Sequence, residues 1–226
     1  MSPAPAAHDT KTAILDAAEA VFAEVGLARA SIRRIVQRAG VNLAAVHYHF
    51  GSKEGLIEAV FNRRVAPVNA RRLELLAAVE AAHPEGALPV EAVLEAFLRP
   101  MQEAREADGR ADHLRRLYGR LVGEPSESVG RMMSRQFGPV LQRFGKALKR
   151  AVPEVPEPVL LWRLLFTVGA AAHLMLDPLV FKKLTRGRCD PRAGAEGLAE
   201  LIRFAAAGMR APAAAGAGEG DQEEGS

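Results

Sequence analysis

Residues 10–50 set three short amphipathic segments between glycine stops, and this spacing limits the possible folds more than any other feature of the chain. Thr10 precedes Ile14, Ala17, Ala18, Val21, Phe22 and Val25, which recur at the three-and-four interval of a helix with one apolar face. Gly26 follows where a left-handed C-terminal cap belongs, so the first helix runs from Thr10 to about there. Ser31 can cap a second segment, whose Ile32, Ile35, Val36 and Ala39 share a face before Gly40 ends it. Asn42 can cap a third, Leu43 to Phe50, and Ser52 a fourth. A helix, a turn of about four residues containing glycine, and a second helix make the helix-turn-helix arrangement.

The third segment lies in "VNLAAVHYHFGSKEGL", which clusters His47, Tyr48 and His49. At about 100° per residue, Val46 and Phe50 fall on one side as core anchors with Leu43 close by. Ala44, His47 and Tyr48 then point outward, with Ala45 at the margin. His47 and His49 stand about 200° apart on such a helix, so they cannot share a metal ion. The chain also lacks a nucleophile elbow, a Walker loop and an H-E-x-x-H sequence, so no catalytic role, metal or cofactor is expected. A contact surface remains. Small alanines admit a close partner, the ring residues offer hydrogen bonds, and Lys53 opens the next helix, whose free N–H groups favour an anion such as a phosphate.

Charge agrees in distribution more than in amount. The formal net charge is only +3, but Arg29, Arg33, Arg34, Arg38, Lys53, Arg63 and Arg64 face just Glu54 and Glu58 within residues 29–64. Such an excess suits nucleic acid, and equally a solvated helix face. The lone Cys189 excludes an internal disulfide and a cysteine-built zinc site, and fits a reducing cytosol; no secretory signal is visible. A cytoplasmic protein is therefore expected. The apolar run from Val159 to Phe181 approaches membrane-spanning length, but Arg163, His173 and Asp177 within it favour a buried helix. Residues 1–9 and 211–226 are Ala, Pro, Gly and acid without apolar periodicity, and read as tails.

Residues 10–57 resemble the DNA-binding domain of the TetR family of bacterial repressors. The Ile14-Leu15-x-Ala17-Ala18 helix, Gly26, Ser31, Ala39-Gly40-Val41, Tyr48-x-Phe50 and Ser52-Lys53-Glu54 agree in order and spacing. The resemblance implies a DNA-binding domain over residues 10–64, in which Ser31 and Arg33 touch phosphate, Ala44, Ala45 and His47 face base edges, and Tyr48 and Lys53 grip phosphate. His47 departs from the tyrosine frequent at its position in the family.

From residue 65 to 210 the composition turns to Ala/Leu-rich helices broken by proline and glycine, without strand alternation, so the whole chain is expected to be all-α. Expected segments are Pro67–Ala82, Val90–Ala107 with a kink at Pro100, Asp112–Val122, Ser126–Val152, Glu157–Leu176 and Arg192–Met209. The Trp162 helix is apolar nearly all round and must be covered from two sides. With "LIRFAAAGM" it suits half of a four-helix homodimer interface, the usual arrangement in the resembled family; ordinary core packing accounts for many of the same residues.

"PEPVLLWRLLFTVGAAAHLM" and "FAAAGMR" further resemble fatty-acid-responsive regulators of the PsrA type, which implies a long-chain fatty acid or acyl-coenzyme A ligand and control of lipid metabolism genes. An acyl chain needs a narrow apolar tunnel with one polar end. Phe97, Met101, Leu117, Leu121, Met133, Phe137 and Phe166 are the expected walls, and Arg116, Arg120 or Arg163 the partner of the acid group. The alternatives are a different apolar effector, such as a drug or aromatic metabolite, an enzyme carrying a helix-turn-helix, and an architectural DNA-binding protein without ligand.

Overall fold

The computed structural model describes residues 7–107, 127–176, 178–190 and 194–213. All regular structure among them is α-helical: α1 (Ala7–Val25), α2 (Ile32–Ala39), α3 (Leu43–Phe50), α4 (Lys53–Ala82), α5 (Val90–Ala107), α6 (Glu127–Ala151), α7 (Glu157–Leu176), α8 (Pro178–Leu184) and α9 (Gly194–Arg210). The expected Asp112–Val122 segment and residues 1–6 and 214–226 of the expected tails lie outside the described residues. Two compact units are present, one formed by the described residues of Met1–Val68 and Glu106–Gly138, the other by those of Asn69–Arg105 and Pro139–Ser226.

In the first unit, α1 starts at Ala7 rather than at Thr10, so residues 7–9 of the expected tail are helical. The apolar series then does what its period requires. Ile14, Ala18, Val21 and Phe22 are fully buried against Ile35 of α2, Val46 of α3 and Leu56, Val60 and Phe61 of α4. Full burial of each large side chain contributes about 1.5–3 kcal/mol. The short helices begin at their expected caps: Ser31 accepts from the Arg34 N–H at 3.3 Å, Asn42 from Ala45 at 2.9 Å, and Ser52 from Gly55 at 3.1 Å. Gly40 ends α2 in the left-handed conformation, φ 68°, which a side chain would strain. Gly55 is required for another reason: a Cβ there would collide with the Phe50 carbonyl.

The structure overturns the expected break before Pro67. α4 is one helix of 30 residues, about 45 Å long at 1.5 Å per residue. Pro67 cannot donate to the Arg63 carbonyl, but it is exposed, so water can satisfy that carbonyl. Pro139 is likewise exposed inside α6.

The second unit buries Leu76 of α4, Val93, Leu94, Phe97 and Leu98 of α5, Val140, Phe144 and Leu148 of α6, Leu160 and Leu164 of α7, and Ala206 and Met209 of α9. Phe97 meets Phe144 edge-on, with centroids 5.0 Å apart. The Arg210 guanidinium forks onto the Glu91 carboxylate at 2.6 and 2.5 Å, joining the end of α9 to the start of α5. No helix among the described residues is long and apolar enough to cross a membrane, and α7 has the expected bounds, Glu157–Leu176.

Candidate DNA-binding interface

The helical wheel of α3 holds at its assigned positions except Leu43. Val46 is fully buried, Ala44, His47 and Tyr48 are exposed, and Ala45 lies between. Tyr48 is 84% exposed, the highest value among the exposed large apolar and aromatic side chains of the described residues. Leu43 departs from expectation: at 45% exposed it joins the outer face, because α3 begins there and its first turn projects beyond the core.

His47 gains a defined polarity. Its Nδ1–H donates to the Gly51 carbonyl at 3.0 Å, which in the neutral ring leaves Nε2 as an outward acceptor. His49 is half-buried, with its ring 5.0 Å from Tyr48 and 6.0 Å from Phe50, in keeping with a packing role. No group of histidine, cysteine and carboxylate side chains able to hold a metal occurs among the described residues.

The basic patch is smaller than the sequence count suggested, because α1 brings acids to it. Glu24 takes Arg34 at 2.8 Å and also Arg38. Glu19, only 2% exposed, accepts from Arg63 and Arg64, and Asp16 accepts from Arg63 at 2.8 Å. Four of the seven cations are thus neutralised. Arg29 and Arg33 remain exposed without an acidic partner among the described residues. Lys53 is half-buried and donates from Nζ to the Ala28 carbonyl at 3.1 Å, so only part of its ammonium faces outward. Ser31, whose hydroxyl caps α2, is exposed beside Arg33.

The described members of the expected ligand walls belong to different apolar clusters. Phe97 and Met101 belong to the second unit's core. Met133 and Phe137 pack in the first, where Phe137 meets Phe61 edge-on at 6.3 Å. Phe166 is 65% exposed on α7, so it faces away from its own core. Arg163 is turned to the end of α9, donating to the Met209 carbonyl at 2.9 Å and the Pro212 carbonyl at 3.2 Å, where unpaired helix-end carbonyls need donors. Arg116, Leu117, Arg120 and Leu121 lie outside the described residues.

A residue absent from the sequence reading stands beside Phe97 and Met101. Arg72, 5% exposed, places its guanidinium 4.4 Å from the Phe97 ring centroid and donates to the Phe97 carbonyl at 2.8 Å and to buried Asn69 at 3.0 Å. No sequence signal separated it from its half-exposed neighbour Arg71.

Residues 14–60 match the tetR family of bacterial regulatory proteins, and residues 95–208 match the Tetracyclin repressor-like C-terminal domain. The chain belongs to the TetR family, a class of DNA-binding transcriptional regulators rather than enzymes. The A-factor receptor protein of Streptomyces griseus is 39% identical over 62 residues, 27% of this chain and 22% of that protein. The transcriptional repressor KstR2 of Rhodococcus jostii is 30% identical over 117 residues, 49% of this chain and 53% of that one. These matches span less than two thirds of either relative. Among solved structures, FadR of Bacillus subtilis in complex with stearoyl-CoA has a TM-score of 0.62 at 16% identity, covering 87% of this chain and 98% of that one. A transcriptional regulator from Rhodococcus sp. Rha1 scores 0.61 at 20% identity, covering 90% and 99%. At such identities the likeness is one of fold.

Proposed function

We propose that this regulator is a homodimeric repressor that binds a palindromic DNA operator through α2, α3 and the start of α4, and that a long-chain fatty acid or its coenzyme A thioester releases it. The observation that carries the DNA reading is the outer face of α3. A ring exposed to 84%, the exposed Ala44 and an exposed histidine have no task in the protein's own core, while Ala45 stands at its margin. Ala44 and Ala45 let the helix approach base edges. His47, through Nε2, can accept from the exocyclic amino group of adenine or cytosine in the major groove. Ser31, Arg33, Tyr48 and Lys53 hold the flanking phosphates, which fix register without reading sequence.

The homodimer is supported by the face α7 turns outward. Leu161, Trp162, Leu165 and Phe166 are between 48% and 65% exposed, and Phe204 of α9 is 74% exposed. Phe166 therefore belongs to this surface, not to a ligand wall. Ala171, at 4% exposed, packs within its own protomer and is withdrawn from it.

The effector reading rests on the likeness to stearoyl-CoA-bound FadR and on the sequence resemblance of α7 and α9 to fatty-acid-responsive regulators of the PsrA type. Of the walls first expected, Phe97 and Met101 remain together, with Arg72 as the cation beside them. Release requires the ligand to prefer the DNA-incompetent state, by about 1–3 kcal/mol for ordinary coupling. Titrating oleate and oleoyl-CoA, below their micelle concentrations, into the protein–operator complex tests this. The expected result is a fall in DNA affinity of roughly 5- to 150-fold. Unchanged affinity, together with no binding to free protein, would refute the acyl reading in favour of another apolar effector.

A further inference from the structure

The exposed carboxylate of Glu24 is an unusual neighbour for a surface meant to meet phosphate. It lies near the end of α1, is 38% exposed, and holds two guanidinium groups from the same face of α2 one turn apart. Arg34 sits in the first turn of α2, directly after Ser31 and Arg33, and both arginines are about half exposed. The hydrogen bond from Arg38, followed by the charges of Arg38 and Arg34, keeps the Glu24 carboxyl below its ordinary range and therefore ionised near neutrality.

Glu19, the other carboxylate of α1 that holds two arginines, is placed differently. That carboxylate is buried, and its arginines, less exposed than Arg34 and Arg38, tie α4 to α1. The Glu24 cluster is open to solvent, where ion pairs add little to stability. A carboxylate and a phosphate also compete for the same guanidinium fork.

On the DNA-binding reading above, we propose that Glu24 is an electrostatic decoy that withholds Arg34 and Arg38 from DNA phosphates and so weakens binding to DNA of arbitrary sequence. Arg29 and Arg33, which carry no acidic partner among the described residues, and Lys53 then supply the cationic part of the grip. Because non-specific binding is almost wholly counterion release, withholding two cations lowers it more than it lowers base-specific contact, which raises discrimination.

The test is fluorescence anisotropy on a labelled duplex of about 24 base pairs with arbitrary sequence, between about 50 and 200 mM salt, using wild type and Glu24→Gln. Each added phosphate contact steepens the salt dependence by about 0.9. The variant should bind the duplex at least roughly tenfold more tightly near 0.1 M salt, with a slope steeper by about 0.9 for each arginine released, two in each protomer of the homodimer. Adding Arg34→Gln and Arg38→Gln to Glu24→Gln should abolish that gain. Glu24→Ala, which keeps a strong helix former in α1, replaces the Gln variant if the latter melts early. Equal or weaker binding by a Glu24 variant with a wild-type melting profile would overturn the proposal, as would a gain that survives loss of both arginines. Failure of the wild-type protein to bind any duplex even at the lowest salt would instead overturn the DNA-binding reading beneath it.

Discussion

Truncating Trp162 to alanine should dissociate the proposed homodimer while leaving the protomer folded. Trp162 is 61% exposed and its ring lies 5.9 Å from that of Phe166, so these two side chains form a ridge on α7. A tryptophan can bury roughly 250 Å²; with the exposure given, about 150 Å² remains for a partner to cover. At about 25 cal/mol per Å² this is on the order of 4 kcal/mol, and a two-fold interface contains the residue twice. Truncation should therefore weaken association by about 4–8 kcal/mol, a factor of at least several hundred in Kd. Sedimentation equilibrium across a concentration series measures this, and thermal melting at low concentration checks the protomer. A Trp162→Ala protein that remains as dimeric as wild type would refute the assignment of this face, and a wild-type monomer at micromolar concentration would refute the homodimer altogether.

Two further outcomes follow from the ion pairs. Glu19→Ala leaves Arg64 without the carboxylate it shares and Arg63 with only Asp16; it should cost about 2–4 kcal/mol, below the upper range for a broken buried pair because both arginines are partly solvated. A loss under about 0.5 kcal/mol in urea unfolding, the level of an ordinary surface change, would contradict that role. Glu91 is held below the ordinary carboxylate range chiefly by its hydrogen bond from Arg210, whose own pKa is raised by the same contact. A depressed folded pKa stabilises above the unfolded value, about 4.5 for this group, and that gain is lost as pH falls below it. Glu91→Gln should therefore flatten the acid side of the melting-temperature profile, and an unchanged profile below pH 4.5 would count against the linkage.

The DNA-binding unit was legible because its information is local. Ile14 to Phe22 repeat every three or four residues, and Ser31, Asn42 and Ser52 stand where helices begin, so caps and core face can be read without tertiary knowledge. The charge balance was not legible. Glu24 precedes Arg34 by ten residues and Glu19 precedes Arg63 by more than forty, and only packing of α1 on α2 and α4 brings them together. The same limit applies to α7, whose apolar surface extends all round: hydropathy alone could not tell that Leu164 faces inward and Phe166 outward. Pro67 misled for a different reason. Proline discourages a helix but does not forbid one where the orphaned carbonyl is open to water. Arg163 could not be placed either, since its partners are backbone carbonyls at the far end of the chain.

The central claim, that this protein reads a two-fold symmetric DNA sequence through α3, is tested most directly by selecting bound duplexes from a random pool at physiological salt. A near-palindrome whose half-site centres lie about 34 Å, or a small multiple of that, apart should be enriched. Substitution of His47 should change the enriched bases without abolishing the symmetry. Failure to enrich any sequence, or enrichment of a site with no two-fold symmetry, would contradict that claim.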